Sequence, residues 1–162
     1  MSEIVEILQR EFEGTMVLPW PVMLARLLGS VLLAGLLGFE RERNDRPAGL
    51  RTHMLVGMAA ACYCITTLEL ISRDYGGDVR MDPIRLVEAV TAGVAFLAAG
   101  LIVFARGEVT GLTTGASLWL AASIGLAAGL GLWPLAAMVT LLGLVIVGLL
   151  RVFEKRWKRA RD

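Results

Sequence analysis

Five apolar stretches, each near the length that crosses a bilayer, constrain this chain more than any other feature. They run roughly over 22–38, 54–72, 86–104, 112–132 and 135–152. A helix needs about 20 mostly apolar residues to cross ~30 Å of hydrocarbon at ~1.5 Å per residue. Hydrophobic residues make up 56% of the 162 and mean hydropathy is +0.67, outside the range of soluble domains. The expected fold is an all-α membrane protein with five transmembrane helices. Backbone left open inside lipid is costly, so the connections lie at the surfaces and successive helices alternate in direction. The first stretch lies too far along, without a basic leader or small-residue cleavage site, to read as a cleaved signal peptide, so it is taken as a retained helix.

Orientation follows from the short flanking segments, where Lys and Arg mark the cytoplasmic side. Eleven fall on the side carrying the 38–53 loop, Arg106 and the C-terminal tail, and four on the other. The expectation is an outer N-terminus and a cytoplasmic C-terminus. Orientation alone does not explain "GFERERNDRPAGLRTH" (38–53), because acidic residues are interleaved with the arginines. Two readings stay open. Glu40, Arg41, Glu42, Arg43, Asp45, Arg46, Arg51 and His53 form a salt-bridge brace that fixes the turn, paired so that each lowers the other's desolvation cost. Alternatively they line an inward-facing site with Arg106, Glu108, Thr113, Thr114 and Ser117 of a second polar turn. In that site Thr52 would cap a helix start attractive to anions, or the carboxylates would hold a hard cation. The sequence leaves the identity of any metal open and points to no cofactor.

"GFERERNDRPAGLRTHMLVG" (38–57) and "GVAFLAAGLIVFARGEVTGLTTGASLWLAASIGLAAGLG" (93–131) together resemble the MgtC/SapB family of bacterial inner-membrane proteins. The resemblance covers about residues 20–152 and implies a five-helix domain with its C-terminus inside. It implies a modulator of low-magnesium adaptation or virulence that restrains ATP synthase, although members are commonly labelled Mg²⁺ transporters. The well-known pathogen members carry a soluble domain after the last helix, whereas this sequence stops ten residues past Val152. The short SapB-type branch is the nearer resemblance.

Three segments are expected. Residues 1–16 contain an amphipathic helix with Ile4, Leu8 and Phe12 on one face and Ser2 as N-cap. Residues 17–152 form the five-helix domain, and 153–162 a basic cytoplasmic tail that meets anionic headgroups rather than nucleic acid. A weak repeat relates the Gly-Leu-x-Thr turns at 49–52 and 111–114. Glycines four apart (107, 111, 115; 125, 129) let helices approach closely within the subunit or, less favoured, across a dimer. A homo-oligomer is expected because five short helices make a thin bundle.

Cys62 and Cys64 sit about 200° apart on a helix and read as small apolar fillers. With one histidine, His53, and no strong catalytic motif, enzyme chemistry is not expected. Arg26, Glu69 and Glu88 fall inside the spans at similar depth, and an ion pair between Arg26 and one or both carboxylates is expected. Two functions remain. The favoured one is a modulator acting through membrane-protein partners, and the other is a transporter or channel for a small ion such as Mg²⁺.

Overall fold

A computed structural model describes residues 4–6, 16–73, 82–105 and 108–159. Residues 4–6 are helical, and the rest of the expected N-terminal amphipathic helix lies outside the described residues. Five helices follow: α1 (Trp20–Glu42), α2 (Leu50–Ile71), α3 (Ile84–Leu101), α4 (Leu112–Gly129) and α5 (Trp133–Arg159). The first four are each long and apolar enough to cross a membrane, and α5 contributes a shorter apolar part, Trp133–Gly148. The helix of α5 runs on to Arg159, through the start of the expected tail.

One element departs from expectation. The third apolar stretch does not stay helical to residue 104. It leaves the helix at Leu101 and forms a two-stranded antiparallel hairpin, β1 (Val103–Ala105) and β2 (Glu108–Thr110), with Phe104 opposite Val109. Ile102, Val103 and Phe104 are apolar enough to prolong a span, but they are β-branched or aromatic and suit an extended backbone. Gly111 then takes a left-handed conformation, φ +89°, and turns the chain into α4.

Helix α4 is the hub of the bundle. Its sequence, LTTGASLWLAASIGLAAG, carries no charge and little bulk, and eleven of its 18 residues are buried. It packs against α1, α2, α3 and α5. Glycine makes the closest approaches possible. A Cβ placed on Gly125 would run into the backbone carbonyl of Gly57, and one on Gly129 would lie 2.8 Å from Cys64 Cβ and 2.9 Å from Ala61 Cα. The four-residue glycine spacing at 125 and 129 therefore serves packing of α4 on α2 inside one subunit. Cys64 is buried in that contact while Cys62 is exposed, as expected for two residues on opposite sides of a helix.

Helix α3 rests on α4 and meets α2 only loosely. Between α2 and α3 lies an open cleft of about 1080 Å³, lined mainly by apolar residues that include Ala59, Tyr63, Leu86, Ala89 and Gly93. The α1–α2 turn and the β-hairpin lie at the same end of the bundle, because Arg41 near the end of α1 touches Thr114 in the first turn of α4. The α4–α5 turn lies at the opposite end.

Candidate functional site

Four polar side chains are brought together in the interior at the end holding the α1–α2 turn. Arg41 is 3% exposed and His53 fully buried, and Thr114 and Ser117 are buried with them. Helical phase explains their positions. Arg41 continues the buried stripe Ala34, Leu37, Gly38 of α1, and His53 begins the stripe Val56, Gly57, Ala60, Ala61, Cys64 of α2. Thr114 and Ser117 lie on the stripe that α4 continues through Ala121, Ile124 and Ala128.

The cluster is a chain of hydrogen bonds. Arg41 Nη2 donates to Thr114 Oγ1 at 2.6 Å, and Ser117 Oγ donates to the Thr114 carbonyl at 2.8 Å. His53 Nδ1 lies 2.8 Å from the Gly49 carbonyl and Nε2 lies 3.1 Å from Ser117 Oγ. A carbonyl only accepts, so Nδ1 carries a proton. Gly38 lets the two helices close over this histidine, since a Cβ there would sit 2.7 Å from His53 Cβ and 2.9 Å from Leu50 Cα. The bonding is incomplete in one respect. Arg41 Nε, Glu40 Oε2 and Asn44 Oδ1 are buried with no hydrogen-bond partner.

The remaining expected site residues go elsewhere. Glu40 turns to Asn44, whose side-chain amide donates to Oε1 at 2.5 Å and to the Glu40 carbonyl at 2.7 Å. Glu42 accepts the backbone N–H of Leu50 at 2.7 Å, capping α2. Arg43, Asp45, Arg46, Arg51, Thr52, Glu108 and Thr113 are exposed, and Arg106 lies outside the described residues. The expected single network of eight charges is thus divided into an interior pair, two local caps and an exposed remainder. Helix α2 begins at Leu50 after Gly49, so Thr52 lies inside the helix and not at the cap position, and the Glu42 carboxylate takes the first N–H instead. The carboxylates do not converge on a cation site, and among the described residues no three His, Cys, Asp or Glu side chains gather to ligate a metal. Asp45 sits at φ +53° where the chain leaves α1. There Asp45 N–H bonds the Glu42 carbonyl and Arg46 N–H the Arg41 carbonyl, the pattern of a helix end closed through a left-handed residue.

The expected ion pair among Arg26, Glu69 and Glu88 does not form. Arg26 Nη1 donates to the Gly129 carbonyl, the last of α4, at 2.7 Å. Glu69 accepts the backbone N–H groups of Val17 and Leu18 at 2.9 and 2.8 Å, just before α1, and Glu88 is exposed. Both charges satisfy backbone ends of opposite partial charge, a demand that no residue pattern announces. Gly131, at φ +77°, leaves space for Arg26, whose Nη2 would lie 2.8 Å from a Cβ there.

Comparison with known proteins places this sequence in a family. The MgtC family matches residues 27–156, which run from within α1 to within α5. MgtC of Brucella abortus is 39% identical over 127 residues, covering 78% of this chain and 50% of its own length. SrpB of Synechococcus elongatus is 35% identical over 153 residues, covering 86% of this chain and 81% of its own length. YhiD of Escherichia coli, whose descriptive name proposes magnesium transport, is 34% identical over 126 residues, covering 75% of this chain. The chain spans about half the length of MgtC and 57% of YhiD. No solved structure matches it. With the family matching most of its length and relatives at 34–39% identity, the chain belongs to the MgtC family.

Proposed function

We propose that this chain is a non-enzymatic modulator in the bacterial inner membrane, linked to low-magnesium adaptation or virulence and acting by contact with other membrane proteins. The supporting observation is the way the polar cluster is closed off. Beyond His53 and Ser117 the interior continues as Ala34, Gly57, Ala121 and Gly125, where the backbones of α2 and α4 meet too closely for a Cβ, and the buried hydroxyls of Ser30 and Thr140 are each turned to a carbonyl of their own helix. A conduit needs a wet or polar line from one face to the other. A rigid brace under an exposed, charged turn needs only what this end supplies. Arg43, Asp45, Arg46 and Arg51 stand exposed on that turn and give a partner a surface of both charge signs. ATP synthase is the partner class that the family resemblance implies.

Transport of a small ion is the second reading, and the name of YhiD favours it. Reconstitution separates the two. Liposomes holding the purified protein and a Mg²⁺-sensitive dye are expected to show no saturable, protein-dependent flux. Co-reconstitution with ATP synthase is expected to lower ATP-driven proton pumping in proportion to the protein added. Saturable flux in the first experiment, with unchanged pumping in the second, refutes the modulator and carries the transporter.

A further inference from the structure

The guanidinium of Arg41 is buried without a salt bridge among the described residues. It is 3% exposed and permanently protonated, yet among the described residues no carboxylate oxygen lies within 4.0 Å of it. Its Nη2 meets only the neutral hydroxyl of Thr114, and its Nε is buried without an acceptor. A buried charge normally has an ionic partner, because desolvation alone costs several kcal/mol by order of magnitude.

The neighbouring helix end has the same sign. Thr114 lies in the first turn of α4, an 18-residue helix whose N-cap is Gly111, without a side-chain cap and without an acidic residue in the first turn. Gly115 N–H bonds the Gly111 carbonyl, so the amides of 112–114 precede the first intrahelical bond and point out of the helix end. The helix dipole there adds positive potential to that of Arg41 instead of offsetting it. Thr113, in the same turn, is exposed, so this end is open to solvent or headgroups while the arginine stands behind it.

We infer that this end of α4 binds a phosphate-type oxyanion, held by the Arg41 guanidinium edge that includes Nε and by the first-turn amides of α4. A phosphate group suits the two donor sets because several acceptor oxygens can meet a planar fork and helix amides together. The chemistry is shared by a phospholipid headgroup and by free phosphate. Glu40, whose Oε1 is turned to Asn44, is the nearby negative group that opposes the anion. The inference rests on the geometry of the cluster and not on the modulator reading, so its failure leaves that reading in place.

The test uses the full chain, delipidated in an alkyl maltoside, a detergent without phosphate. Inorganic phosphate is titrated by calorimetry and thermal denaturation against chloride at equal ionic strength, and short-chain phosphatidylglycerol is titrated in a parallel series. Stabilisation by phosphate identifies a free-anion site, and stabilisation by the lipid alone identifies a headgroup site. Arg41→Gln is expected to weaken binding about tenfold or more, the worth of one charge-assisted hydrogen bond. Should that variant not fold, Thr114→Val, which frees Nη2 from its neutral partner, is expected to alter the affinity, and Glu40→Gln to tighten it. Neither ligand stabilising the protein beyond chloride overturns the inference. So does binding that is unchanged in Thr114→Val and Glu40→Gln.

Discussion

Replacing Gly125 by alanine adds a single methyl group at a helix–helix contact too close for a Cβ. The new Cβ would overlap the Gly57 carbonyl oxygen and lie 2.9 Å from both Gly57 C and Gly57 Cα. Carbon atoms in contact prefer about 3.5–4.0 Å, so α2 and α4 must separate by roughly an ångström. Every neighbour named is backbone, so no side chain can rotate away to relieve the overlap. Overpacking of this kind costs about 1–3 kcal/mol, set against a gain of up to ~1 kcal/mol from replacing a mid-helix glycine. Gly93→Ala is the matched control. It stands on α3 with no atom within 4 Å of the added methyl, so it keeps the gain and has no clash. The two variants share that gain, so they are expected to differ by the overpacking cost alone, roughly 1–3 kcal/mol, with Gly125→Ala below Gly93→Ala. For a chain of this size that separates their Tm values by about 2–12 °C. Thermal denaturation of purified protein in detergent, followed by size-exclusion of the surviving fraction, reads the difference. Equal shifts for both variants, or a rise for Gly125→Ala, would show that the α2–α4 contact is not as close as drawn.

Two further substitutions probe the chain's turns and charges. Arg26→Met keeps the apolar stem and removes the bond to the Gly129 carbonyl, and should cost about 1.5–3 kcal/mol, the range for a hydrogen bond to a charged group. Combined with Glu69→Gln its loss should simply add, since the two side chains serve different backbone ends; a coupled loss in a double-mutant cycle would restore the ion pair. Gly111→Ala forces a side chain into φ +89° and against the Leu101 carbonyl, and should destabilise by about 1–3 kcal/mol, with a normal Tm counting against the left-handed turn.

Helix number and placement were legible because length and apolarity act over whole segments. The stretches read as 22–38 and 54–72 appear as Trp20–Glu42 and Leu50–Ile71, longer mainly at their polar ends, where charge in the last turns hides helical continuation. The β-hairpin was not legible, since Ile102, Val103 and Phe104 carry the same apolar signal in a strand as in a span. In the 38–53 loop the sequence showed that charges gather but not which turn inward. Helical phase carried that information: Arg41 lies seven residues after Ala34 and four after Leu37, and His53 lies four before Gly57, all on buried faces. The partners of Arg26 and Glu69 had no such signal, because they are main-chain groups brought close only by the fold.

Several charges near the helices follow one electrostatic rule. Glu42 meets the N–H of Leu50 at the start of α2, Asp82 meets that of Ile84 at the start of α3, and Glu69 meets those of Val17 and Leu18 ahead of α1. Arg26 meets the last carbonyl of α4. Each carries the sign opposite to the dipole end it touches. Near a bilayer the rule gains force, since an unsatisfied amide or carbonyl has little water to turn to. A loop that must close two helix ends within a few residues therefore needs acidic groups among its arginines, which accounts for Glu42 without invoking a cation site. Arg41 breaks the rule by standing, buried, at the positive end of α4. A negative group delivered to that end from outside the chain would restore it, so an ion pair between Arg41 and an acidic side chain in a solved structure of the apo protein would remove the reason to look for one.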